Sequence, residues 1–157
     1  MGDFFGSLFC IFEDFFGLDL ADYMWGQTAD EQTSNLFIGI GYCLIGISAF
    51  LAIVFYYAIN KPSFSNVWAW LILCLTNFAA NFAMGYYWTV SDLYAGLMVA
   101  TDPKTGIPQQ LPIDQSNCLC FGVSNAILSI AVIFIISLLI KNGSNAKNAP
   151  FSFSKYL

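Results

Sequence analysis

The 157-residue chain contains no histidine and no arginine. These absences remove the commonest general base, the usual metal and haem ligand, and the bidentate clamp for phosphate. Five lysines stand against ten carboxylates, for a net charge of −5, which also excludes the basic footprint of a nucleic-acid-binding surface. Neither a Gly-rich phosphate loop nor a Ser/His/Asp set can be assembled from what remains. Cys118-x-Cys120 is the one close thiol pair, and it lacks the spacing of a zinc or thioredoxin-type motif. The sequence therefore reads as a non-enzyme, with no cofactor and no metal expected.

Charge of either sign is scarce. Charged residues make up 10% of the chain and hydrophobic ones 58%, with a mean hydropathy of +0.67. An ordinary soluble domain carries about 25% charged residues, so a bilayer must cover much of this surface. Leu36–Ile59, Val67 to about Val90, and Leu119–Ile140 contain no Asp, Glu, Lys, Arg or His. Each has at least the roughly 20 residues needed to cross about 30 Å of hydrocarbon, and a lipid-exposed backbone must be helical to satisfy itself. Tyr56 and Tyr57 close the first run, Trp68 and Trp70 open the second, and Tyr86, Tyr87 and Trp88 close it, as interfacial aromatic belts do. The expected fold is an all-α integral membrane protein with three transmembrane helices and an N-terminal amphipathic interfacial helix. Its organisation is an acidic, aromatic segment over residues 1–35, a transmembrane domain over 36–140 with a loop at 91–118, and a tail over 141–157.

The charges partition across this threading. All ten acids fall in the N-terminal segment and the 91–118 loop, whereas Lys61, Lys141, Lys147 and Lys155 fall on the other side and only Lys104 joins the acids. Because cytoplasmic loops retain Lys and Arg near span ends, the N-terminus is expected outside and the C-terminus in the cytoplasm, with a bacterial inner membrane as the expected location. The beginning Met1-Gly2-Asp3 has neither the basic start of a signal peptide nor, with Gly6 in place of Ser or Thr, a myristoylation pattern. The sequon Asn142-Gly143-Ser144 lies on the expected cytoplasmic side and reads as chance.

Phe5, Leu8, Phe9, Phe12, Phe15 and Phe16 recur at helical spacing, with Ser7, Cys10, Glu13, Asp14 and Gly17 opposite, which predicts an amphipathic helix over about residues 3–20. Interfacial helices are usually basic; this one is acidic. Its Phe face is expected to pack on the outer ends of spans, its own or a neighbour's, or else to lie at the interface. Residues 26–35 form a polar connector, with Ser34 or Asn35 as helix cap, and Asn60–Asn66 is a tight turn containing Pro62, with Ser65 or Asn66 as the next cap. Ser91–Ala100 can continue as a short helix, and residues 101–112 read as successive turns.

Polar groups inside the spans are the candidate site. Asn77 and Asn81 recur four apart in the second span, as do Asn125 and Ser129 in the third. They read either as interhelical hydrogen-bond partners or as the lining of a hydrated path. Gly39, Gly46, Gly85 and Gly122 offer surfaces for close helix packing. Glu13, Asp14, Asp92 and Asp114 would form an acidic outer face, and Cys10 could pair with Cys118 or Cys120 in an oxidising compartment. Cys43 and Cys74 read as small packing residues. Two functions survive: a homo-oligomeric, cation-favouring channel or pore, and a non-catalytic subunit of a larger membrane complex. The expected partners are the lipid bilayer and either further copies of the chain or other membrane subunits, without nucleic acid.

Overall fold

The structure is a computed structural model that describes residues 2–26, 35–59, 66–101 and 108–141. The chain starts with α1 (Gly2–Phe9), a 3-10 turn at Cys10–Phe12, α2 (Glu13–Phe16) and α3 (Leu18–Trp25). Then come α4 (Leu36–Ile53), which continues as a π-helix over Val54–Ile59, and α5 (Val67–Tyr94). A two-stranded antiparallel ribbon of β1 (Val99–Thr101) and β2 (Pro108–Gln110) precedes α6 (Gln115–Ile140). Three of these helical stretches are long and apolar enough to cross a membrane, at 24, 28 and 26 residues, the first including the π-helix.

The starts of the long helices follow from their sequences. Asn35 Oδ1 accepts from the Phe37 amide at 3.0 Å, and Asn66 Oδ1 accepts from the Ala69 amide at 2.8 Å, so each Asn satisfies an amide that its helix cannot. Asp114 and Asn117 make a reciprocal cap on α6. Asp114 Oδ1 accepts from the Asn117 amide, and Asn117 Oδ1 accepts from the Asp114 amide, both at 3.1 Å.

Two expectations need correction. The single helix over about residues 3–20 is instead in pieces, because Gly17 at φ +99° adopts a conformation closed to L side chains, which ends α2 and restarts the chain as α3. The β1/β2 ribbon, in register Val99 with Gln110 and Thr101 with Pro108, takes Val99 and Ala100 from the stretch read as a possible short helix and Thr101 and β2 from the run expected as successive turns. The third span starts earlier than expected, at Gln115, and the second runs on to Tyr94, into the stretch read as a possible short helix. Lys61, Lys104, Lys147, Lys155, the sequon, the cap Ser65 and most of the 26–35 connector lie outside the described residues.

The chain forms two compact units, Met1–Cys43 with Phe82–Asn125 and Leu44–Asn81 with Ala126–Leu157. The core of the first is aromatic. Phe9 stacks on Phe37 at 5.2 Å and on Phe121 at 5.5 Å between ring centroids, and Phe16 meets Phe121 edge-on at 5.3 Å. Leu20 and Met24 of α3 complete this buried set. The core of the second unit comprises Ala52, Phe55, Tyr56, Ala69, Leu73, Cys74 and Ile133. Trp70 ties α5 to α6 in this unit, meeting Phe134 edge-on and donating Nε1 to Ser137 Oγ at 3.3 Å.

Candidate functional site

The polar stripe of the second unit is a ladder of amides inside the chain. Asn81 Nδ2 donates to the Asn77 carbonyl at 3.0 Å and to Asn77 Oδ1 at 3.1 Å, and Asn77 Nδ2 donates to the Ser129 carbonyl on α6 at 3.0 Å. Ser129 Oγ in turn donates to the Ala126 carbonyl at 2.7 Å. None of Asn77, Asn81 and Ser129 has exposed surface. Asn and Ser at four-residue spacing put these groups on one helical face, and the apolar residues flanking them keep water away.

In the first unit, Asn125 is equally buried and lies over Gly85, where a Cβ would come within 3.1 Å of Asn125 Nδ2. Gly122 permits a similar approach, since its Cβ would meet Tyr86 Cβ at 3.0 Å and the Phe82 carbonyl at 3.2 Å. Small residues of this kind let membrane helices meet backbone to backbone. A Cβ on Gly39 would meet the Trp88 ring at 3.5 Å, an ordinary contact distance. Gly46 is different: it is exposed, with open space where a Cβ would stand.

The four acids of the expected outer face all belong to the first unit. Asp14 and Asp114 are exposed and Glu13 and Asp92 half-buried. Asp92 Oδ2 accepts from the Tyr23 hydroxyl at 3.2 Å, joining α3 to α5. Burial, followed by the Asp92 charge and this hydrogen bond, pushes the Tyr23 hydroxyl up to about 12. Asp114 sits below the ordinary carboxylate range, first because the Ser116 hydroxyl bonds it and then because the Asn117 amide does. Cys10, Cys118 and Cys120 are free thiols. Cys10 Sγ accepts from Trp25 Nε1 at 3.3 Å, and burial raises the thiol. Cys43 is exposed and Cys74 buried.

Asn117 is the functional-looking residue that sequence reasoning missed. Besides capping α6, its Nδ2 donates to the Phe16 carbonyl at 2.9 Å, and it lies where a Gly17 Cβ would intrude at 2.8 Å. The pattern Asp114-x-x-Asn117 before an apolar run was the available signal for the cap; the clamp on Phe16 had no local signature. An apolar groove of about 200 Å³ lies in the second unit between Leu51, Phe55 and Ile59 on one side and Ala69, Leu73 and Thr76 on the other. Among the described residues, no group of three His, Cys, Asp or Glu is placed to hold a metal ion. No family model, curated protein or solved structure matches the chain.

Proposed function

We propose that this chain is a non-catalytic, multi-pass structural subunit of a membrane assembly, with its N-terminus outside and its C-terminus in the cytoplasm of a bacterial inner membrane. The observation that carries the reading is the amide ladder. Asn77 is committed to the Ser129 carbonyl and Asn81 to Asn77, with neither side chain exposed. Polar groups committed in this way fix helix to helix, and are the usual use of Asn in a membrane. The apolar surface that the chain presents from its spans, including Trp68, Ile72 and Leu75 of α5, is then available to neighbouring subunits and lipid.

The rival reading is a homo-oligomeric cation pore. Its support is the charge of the first unit, whose described residues carry acids at Asp3, Glu13, Asp14, Asp19, Asp22, Asp92 and Asp114 and no lysine. Such a concentration of carboxylates favours cations at a mouth. For the buried amides to line its path, however, they would have to surrender the ladder bonds. Two measurements on the native assembly separate the readings. The structural subunit is expected to copurify with foreign chains at fixed stoichiometry and to carry no ion flux when reconstituted alone. A single-species ring with flux that responds to Asn81→Asp would overturn the proposal.

A further inference from the structure

The N-terminal segment also exposes large apolar side chains that its sequence pattern does not separate from the buried ones. Phe5, Phe9 and Phe16 are buried against the chain, but Phe4 is 67% and Ile11 71% exposed, and Phe15 and Leu18 are exposed with them. Each sits on a different element, Phe4 on α1, Ile11 in the 3-10 turn, Phe15 on α2 and Leu18 on α3, so the exposed apolar surface runs the length of the segment.

What meets this surface follows from the register of α1 on α4. Phe9 stacks on Phe37, while Phe5 lies edge-on to Tyr42 at 5.5 Å and its ring covers the position of a Cβ on Gly41. Moving four residues back along α1 thus moves four or five forward along α4. That is the signature of two helices running antiparallel side by side, and not of one lying across the tip of the other. α1 therefore shares the depth of the first two turns of a membrane-spanning helix. Tyr42 is six residues past Leu36, about 9 Å along the axis, which matches the roughly 5–10 Å that interfacial helices reach below the headgroups. Tyr42 of α4 at this level is exposed, and Phe5, which meets it, is itself in edge contact with Phe4 at 5.6 Å.

We propose that α1–α3 is a half-inserted lipid-contact element whose exposed Phe4, Ile11, Phe15 and Leu18 side chains lie against the acyl chains of one leaflet. The lipid class follows from charge. Asp14, Asp19 and Asp22 are exposed on the same segment, and the described residues of its unit include no lysine. Anionic headgroups are repelled by such a surface, so a zwitterionic leaflet is the one that fits.

Photo-crosslinking in nanodiscs tests the placement. With p-benzoylphenylalanine at Phe4, Ile11 or Asp14 of the full chain in phosphatidylcholine, Phe4 and Ile11 positions are expected to gain phospholipid-mass adducts and Asp14 none. Replacing the lipid with phosphatidylglycerol is expected to lower the Ile11 yield about fivefold, as follows from the strength of charge interactions at an anionic surface. Both positions are exposed, so the fold should tolerate the probe, and an unchanged elution volume checks this. Adducts to a second copy or to another protein would overturn the proposal, as would no lipid adduct at either position. Equal yields in the two lipids would overturn its charge component.

Discussion

Asn77 on α5 donates its side-chain amide to the backbone carbonyl of Ser129 on α6 at 3.0 Å, with both residues fully buried. The acceptor is a main-chain group, so the bond survives any change of the Ser129 side chain. Asn77→Leu removes it, along with the Oδ1 that accepts from Asn81. Interhelical bonds in membranes are worth about 0.6 kcal/mol on average and about 1.7 at most, so a loss of about 1–2 kcal/mol is expected in reversible unfolding from mixed micelles. Ser129→Ala is expected to cost less, and equal losses would show that the ladder does not join the helices through Asn77.

Phe9 sets the stability of the first unit. It is fully buried and stacked on Phe37 and Phe121, which belong to different helices. Phe9→Ala leaves a cavity among rings too rigid to collapse into it, for a loss of about 3–5 kcal/mol. Thermal unfolding in detergent should show this as the largest single effect in the N-terminal segment. A variant as stable as the parent would mean that the segment is not docked on the helices.

Much of this fold was legible because the bilayer imposes one rule. A run without charge from Leu36 to Ile59 has to be helical, and α4 with its π-helical end spans those residues. Asn35 and Asn66 were legible as one of two candidates for each cap, beside Ser34 and Ser65, since Ser and Asn before an apolar run share that use. The N-terminal segment was harder. Its Phe residues are so numerous that periodicity alone could not say which ones are buried, and the choice of Phe9 and Phe16 over Phe4 and Phe15 depends on where Phe37 and Phe121 arrive from distant sequence. Gly17 was read as part of a polar face. Its role is instead conformational, and a positive φ leaves no trace in a helical pattern. In the candidate site, four-residue spacing identified Asn77 and Asn81, but whether amides face one another or a path is a property of helix rotation that spacing does not contain.

Gly17 and Asn117 form one device. Gly17 holds φ +99° with the Asn117 side-chain amide against it, and that amide also bonds the Phe16 carbonyl. Gly17→Ala adds both backbone strain and a clash, for an expected loss of about 1–3 kcal/mol. Asn117→Ala loses the clamp and half of the α6 cap and should increase protease cleavage between α2 and α3. If Gly17→Ala were neutral, the break between these helices would not be the one described.

Alkaline pH should loosen the contact between α3 and α5. The Tyr23 hydroxyl is raised from 10.0 to about 12, chiefly by burial and then by the Asp92 charge. A folded-state value above the unfolded one means that the contribution is complete below pH 10 and is lost as pH rises toward 12. The measurement is the pH dependence of stability in that window. Tyr23→Phe, which cannot ionise, is expected to have the shallower slope, and identical slopes would sink the assignment.

The proposed orientation rests on the lysines that follow and separate the apolar runs in the sequence. In the proposed threading Lys61, Lys141, Lys147 and Lys155 share one side and Lys104 alone joins the ten acids, which favours retention of the lysine-rich side in the cytoplasm, because Lys and Arg near span ends resist translocation while Asp and Glu contribute little. With Cys10, Cys43, Cys74, Cys118 and Cys120 replaced by Ser, a cysteine at Thr105 should react with a membrane-impermeant maleimide in intact cells. One at Lys147 should react only after permeabilisation. Reversing the lysine bias by adding two lysines beside Thr105 while replacing Lys61 and Lys147 with Gln should reduce labelling at residue 105, because the two orientations then compete. Labelling at Lys147 in intact cells of the original sequence would invert the threading and put the Phe9 aromatic cluster on the cytoplasmic side.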